Sequence, residues 1–244
     1  LGGGTPSHLG PAGLQRLFEL LSQRCVYAPG CEVTVEANPL DVTKDFANAV
    51  LACGVTRISL GSQSLDAATL RVLDRDHAPD DVRQAMGLLR EAGLVVNLDV
   101  MTAAPGQSLA SVEQDLAAVL ALEPEHLSVY CLTWEKGTAF ESARQRGDLA
   151  VVPEEIERAM YETAIDRLEA GGLEHYEVSN FARPGHRCRH NEAYWDLRPW
   201  EAFGPGAARF DARTPITNDP STTSGLNRVP AGQEATGAVD AMKT

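Results

Sequence analysis

The chain has 244 residues, 43% of them apolar, and a formal net charge of −13. That length suits one α/β barrel or two small domains, and the acidic balance argues against a nucleic-acid partner, because phosphate binding needs clustered Lys and Arg. No apolar run approaches the roughly 18–20 residues that span a bilayer, and no signal peptide precedes the globular pattern, so a cytoplasmic protein with no transmembrane segment is expected. The five cysteines, Cys25, Cys31, Cys53, Cys131 and Cys188, are scattered and odd in number. They read as buried small hydrophobes in a reducing compartment, not as a disulfide framework or a C-x-x-C metal centre.

The chain opens LGGGTPS, a glycine loop suited to close backbone approach by a ligand. LQRLFELL at 14–21 carries the helical apolar stripe, and CEVTVEANP alternates with period two before an Asn-Pro turn. Helix is expected over 44–53, strand at RISLG (57–61), a short helix at 66–73 and a longer one at 80–92. Strand follows at LVVNLDVM (94–101), helix at 109–122, strand at HLSVYCL (126–132) and helix at 154–170, whose acidic start suits the positive end of the helix dipole. Strands alternating with helices in this way build parallel βαβ units. Beyond about residue 205 the pattern fades into Thr, Ser, Pro, Gly and Asn.

Strand parity singles out the polar residues. Glu32, Thr34 and Glu36 oppose Val33 and Val35; Arg57, Ser59, Gly61 and Gln63 oppose Ile58 and Leu60; Asn97 and Asp99 oppose Val96, Leu98 and Val100; Ser128 and Tyr130 repeat the arrangement. Polar groups at the carboxyl ends of successive strands, away from the helices, are how a barrel builds a site at its mouth. Gly2–Thr5, Glu36, Gln63 and Asp99 therefore predict a pocket for a polar, hydroxylated, zwitterionic ligand. Taken singly, a strand-end carboxylate is more often a turn or capping residue; four such polar residues in phase across consecutive strands favour a shared site. HNEAYW taken alone reads first as a surface-loop histidine, His190, with two core aromatics, Tyr194 and Trp195, although an imidazole is a competent axial ligand for haem iron and flat rings can cover a porphyrin face. An H-x-C-x-H metal site with His186 and Cys188 is a third reading, but three ligands crowd poorly into five residues.

Taken in order, GGGTPS, VEANPLDVT, RISLGSQSLD, RDH (75–77), NLDVMTAAPGQS, HLSVYCLTWEKGTAF, YEVSNFARPGHRCRHNEAYW and FGPGA (203–207) resemble the coproporphyrinogen-dehydrogenase-like branch of the radical SAM enzymes, and most closely its HemW-type haem chaperones. The resemblance implies S-adenosylmethionine held across a barrel mouth. Gly3, Gly4 and Thr5 would meet its methionine amine and carboxylate, Gln63 and Asp99 its polar and ribose groups, Arg75 its carboxylate, and Glu36 a second polar contact. It further implies haem at His190 and Tyr194 through an HNxxY motif, with His190 on the iron.

The resemblance also implies a 4Fe-4S cluster on a three-cysteine motif upstream of the glycine loop, which this sequence does not contain. Three local departures stand out: Ala103 in place of the first glycine of Gly-Leu-Pro-Gly-Gln, Asp74 in place of a glycine, and Ala208 in place of a histidine. A glycine replaced at positive φ predicts strain of about 1 kcal/mol or a shifted loop at Ala103. The expected fold is α/β, an incomplete (β/α)6 TIM-like barrel over 1–175 lacking its first strand and cluster loop, with an open sheet edge. A haem-site segment follows over 176–210, then a truncated, loosely ordered region over 211–244. The expected function is a haem chaperone passing haem to haem-dependent respiratory proteins. The alternatives are oxygen-independent coproporphyrinogen III oxidation and an inactive fragment, since a chain without cluster cysteines is not expected to perform radical chemistry.

Overall fold

Val35, Ile58, Leu60, Val96, Leu98, Val100, Leu127 and Val129 are almost completely buried, and each lies on a short β-branched or leucine-rich strand of alternating sides. The computed structural model describes residues 1–204 and 207–211, and the strands pair in it as one six-stranded sheet. In chain order the elements are α1 (Gly10–Ser22), β1 (Thr34–Ala37), α2 (Lys44–Ala52), β2 (Arg57–Gln63), α3 (Ala67–Val72), α4 (Pro79–Glu91), β3 (Val95–Thr102), α5 (Leu109–Leu120) and β4 (His126–Cys131). They continue as α6 (Ala139–Arg146), α7 (Glu154–Ala170), β5 (Glu174–Glu177), β6 (Asn180–Ala182) and α8 (Arg189–Trp195). The sheet order is β1-β2-β3-β4-β6-β5.

Strands β1 to β4 run parallel, joined by helical crossovers as the alternating pattern predicts. The repeat then breaks. Instead of another parallel strand, the chain delivers the β5–β6 hairpin, with β6 antiparallel to β4. The hairpin occupies 174–182, across the expected limit at residue 175. Among the described residues β1 and β5 are the two sheet edges.

The helices bury their apolar stripes on the sheet through Leu14 and Phe18, Phe46 and Val50, Val82, Met86 and Leu89, Val112, Leu116 and Val119, and Met160, Ala164 and Leu168. Their starts are set locally. Thr43, Ser108 and Thr138 accept backbone N–H bonds from Phe46, Ser111 and Glu141, all at 3.1 Å, and α7 begins with Glu154, Glu155 and Glu157 at its positive end.

The described residues fall into two compact units. Pro6–Arg187 carries the whole sheet and α1 to α7, while Leu1–Thr5 groups with the described residues from Cys188 onward, including α8. The region expected to be loosely ordered over 212–244, and Pro205 and Gly206 of FGPGA, lie outside the described residues.

Candidate functional site

Register places the polar residues on one face of the sheet. Glu36 pairs with Ser59 across β1–β2, Ser59 with Asn97 across β2–β3, and Asp99 with Ser128 across β3–β4. Because paired residues of neighbouring strands point the same way, Glu36, Ser59, Asn97, Asp99 and Ser128 share the face opposite the helix-covered core.

Gln63 reaches that face by a different route from the one parity gives. Leu60 pairs with Leu98 but Gln63 with Val100, so β2 carries one extra residue, a bulge, and simple alternation fails there. Gln63 adopts φ +58°, in the left-handed region, and its side chain folds back over Gly61. A Cβ built on Gly61 would lie 3.2 Å from Gln63 Nε2, so the carboxamide sits on the Ser59 face after all. Two buried groups pin the bulge: Ser62 Oγ donates to the Asp99 carbonyl at 2.6 Å, and His77 Nε2 lies 3.0 Å from the Ser62 carbonyl. A carbonyl only accepts, so Nε2 carries the proton; burial keeps the His77 pKa below its ordinary value and the ring neutral.

Asp99 is the electrostatic centre of the row. Surrounding protein pushes its carboxyl up to about 6, against hydrogen bonds from Ser59 and Asn97 and the nearby Arg75 cation. Ser59 Oγ donates to it at 3.1 Å and Asn97 Nδ2 at 2.8 Å. The Tyr130 hydroxyl has its pKa raised by burial and by the Asp99 charge, so it stays a neutral phenol. Arg75 lies just past α3, and its buried Nε has no hydrogen-bond partner among the described residues. A buried guanidinium N–H without an acceptor, near the Asp99 carboxylate, fits a ligand that carries both a carboxylate and hydroxyl donors.

The two flanking turns carry the departures read from the sequence. Ala103 has φ +60° and is buried, and Asp74 has φ +52°, so both stand where glycine would be unstrained. Gln107 Oε1 accepts the Ala104 N–H at 2.9 Å and holds the 103–107 turn closed. Ala103 therefore carries left-handed strain within a closed turn.

Gly3, Gly4 and Thr5 belong to the other unit, as do His190 and Tyr194. Gly3 has φ +82°, the region that favours glycine. Ser7, at the end of the GGGTPS stretch, is buried within the sheet unit, where its hydroxyl accepts the Asn38 N–H at 3.0 Å and donates to Asp41. His190 and Tyr194, four residues apart on α8, meet edge to face with ring centroids 4.7 Å apart. The aromatic run continues through Tyr194–Trp200 at 4.2 Å and Trp200–Phe210 at 4.8 Å. Tyr194 and Trp195 are 40% and 56% exposed, which removes the reading of two core aromatics.

Among the described residues no three His, Cys, Asp or Glu side chains gather as a metal site, the His186, Cys188 and His190 group included. The five cysteines are separate free thiols, and against the expectation of buried small hydrophobes only Cys188 is buried, with Cys25 exposed and Cys31, Cys53 and Cys131 half-buried. They do not fit a 4Fe-4S cluster.

Comparison with known proteins agrees with this architecture. Residues 1–119 match the Radical SAM superfamily model. The chain is 38% identical over its whole length to the haem chaperone HemW of Mycobacterium tuberculosis, and 35% identical over 89% of its length to that of Bacillus subtilis. It spans 64% and 58% of those two relatives. Among solved structures, coproporphyrinogen III oxidase HemN of Escherichia coli superposes over 85% of this chain and 50% of its own with a TM-score of 0.71 at 23% identity; that likeness concerns the fold. Four parallel strands with a polar row along one face thus stand in a chain whose residues 1–119 match the Radical SAM superfamily model and which is similar along its length to haem chaperones named HemW.

Proposed function

We propose that the chain is the S-adenosylmethionine- and haem-binding part of a HemW-type haem chaperone, acting in the cytoplasm and handing haem to haem-dependent respiratory proteins. The observation that carries the reading is the pairing of His190 with Tyr194 one helical turn apart on α8, exposed and continued by Trp200 and Phe210, in a chain 35–38% identical to proteins named as haem chaperones. A neutral imidazole donates a nitrogen lone pair to haem iron, and flat aromatic rings offer the contact area that a porphyrin face needs.

On the sheet, Asp99 accepts from ribose hydroxyls, Arg75 meets the methionine carboxylate, and Gln63 and Glu36 supply further polar contacts; a role for Gly3, Gly4 and Thr5 at the amino-acid end rests on the family resemblance alone. Bound S-adenosylmethionine would supply a sulfonium and, in a cluster-bearing relative, a source of radical chemistry. The residues of this chain bind and orient it. No helix among the described residues is long and apolar enough to cross a membrane, and the free, scattered cysteines suit a reducing compartment.

The test is transfer. Haem-loaded chain is mixed with an apo form of a respiratory haemoprotein and the two are separated by size. The Soret absorbance should move to the acceptor within minutes; haem that stays on the chain, or passes equally well to bovine serum albumin, contradicts a chaperone role.

A further inference from the structure

Asp99 is held from behind by hydrogen bonds that run across the sheet. Asn97 Nδ2 donates to Asp99 Oδ1 at 2.8 Å and approaches Ser59 Oγ at 2.7 Å. Asn97 pairs in register with His126, and Asn97 Oδ1 lies 2.6 Å from His126 Nδ1. On the far side of the imidazole, His126 Nε2 lies 2.7 Å from the Tyr176 hydroxyl. Asn97 and His126 are both at most 5% exposed.

The charge at one end fixes every proton along this run. An ionised carboxylate can only accept, so Asn97 turns its NH2 toward Asp99 and its carbonyl toward His126. That carbonyl needs a donor, so the His126 proton sits on Nδ1. Nε2 is left as an acceptor, and the Tyr176 O–H donates to it. Burial, with Arg57 and His186 nearby, pulls the His126 pKa down to about 3, so the ring carries a single N–H. Reversing Asn97 would set its carbonyl against the carboxylate, two acceptors at hydrogen-bond distance, which only the protonated acid tolerates.

We propose that His126, acting through Asn97, is a positioning residue that holds Asp99 ionised and aimed at the ribose hydroxyls of the bound nucleoside. The ribose rests on the function proposed above; the control of the carboxylate does not. Other groups also bear on the two ends of the run. Arg75, from the turn after α3, and Tyr130, from β4, face Asp99; Arg57 of β2, Tyr176 of β5 and His186 face His126. Arg75 stays a cation and Tyr130 a neutral phenol through the working range, leaving His186 as the group to control for.

The experiment is a carbon-13 titration of the Asp99 carboxyl in the cofactor-free chain, followed by S-adenosylmethionine binding by calorimetry. In His126→Phe the midpoint should rise by about one pH unit, and Tyr176→Phe should move it the same way by less. His186→Asn should leave it in place. The dissociation constant of His126→Phe should be weaker by about twofold at about pH 7 and about fivefold at about pH 6, and should recover toward pH 9, where Asp99 is again ionised. An unmoved midpoint in folded His126→Phe overturns the proposal; should that variant not fold, an unmoved midpoint in Tyr176→Phe does so. A moved midpoint in a chain that binds no S-adenosylmethionine at any pH overturns the ribose assignment and leaves the control of Asp99 standing.

Discussion

The carboxamide of Gln63 lies over Gly61, with Nε2 3.2 Å from the position a Cβ on Gly61 would take. The bulge that puts it there is tied to Asp99 through Ser62 and to His77 through the Ser62 carbonyl. A methyl on Gly61 meets only the end of a flexible side chain, so Gly61→Ala should fold with a loss of less than about 1 kcal/mol while displacing the carboxamide. Calorimetry should then show S-adenosylmethionine binding weakened by about three- to tenfold, a loss of one hydrogen bond. Unchanged affinity would remove Gln63 from the site.

Ala103 holds φ +60° in a buried turn and Asp74 holds φ +52°. Alanine has no side-chain group to offset left-handed strain, whereas aspartate tolerates that region better. Replacing Ala103 with Gly relieves about 1–2 kcal/mol of strain and restores about 0.4–1 kcal/mol of unfolded-chain entropy, a net gain near 0.5 kcal/mol. Urea unfolding should show Ala103→Gly stabilised and Asp74→Gly nearly neutral. The reverse order would mean that the 103–107 turn is not strained.

Asp99 sets a pH dependence with a definite sign. Its folded pKa, about 6, lies above the ordinary carboxyl value of 3.8, so folding favours its neutral form. The stability it contributes is fully present below the unfolded value and is lost as pH rises through about 6. Asp99→Asn, neutral at every pH, should therefore gain on the wild type by on the order of 2 kcal/mol as pH rises from about 4 to 7. Parallel urea curves at the two pH values measure it. A difference that does not change with pH would show that Asp99 is not desolvated.

Long periodic elements were legible because their apolar spacing reports burial directly. α7 begins and ends where its pattern does, and β2, β3 and β4 fall where alternation puts them. α6 was not legible: Ala139–Arg146 carries almost no apolar stripe and is held by the Thr138 cap and the Glu141–Arg144 ion pair. β6 is three residues long, too short for periodicity, although all three are buried.

Parity put Glu36 and Asp99 on the polar face of the sheet because it depends only on counting along one strand. It could not see the bulge before Gln63, which exists only in the pairing of two strands. His126 stood in plain view in HLSVYC, but its role needs the Asn97–His126 register, information that no single strand contains. Arg75 came from family resemblance alone, since a residue in a turn has no periodic signal.

On the proposed function the chain binds haem through α8. The most direct measurement of that binding is a haem titration of the wild type beside His190→Ala and Tyr194→Leu. The wild type should give a saturable Soret band, His190→Ala a shifted band weakened at least tenfold as an iron ligand is lost, and Tyr194→Leu a smaller loss as ring contact is lost. A His190→Ala spectrum and affinity identical to those of the wild type would contradict it.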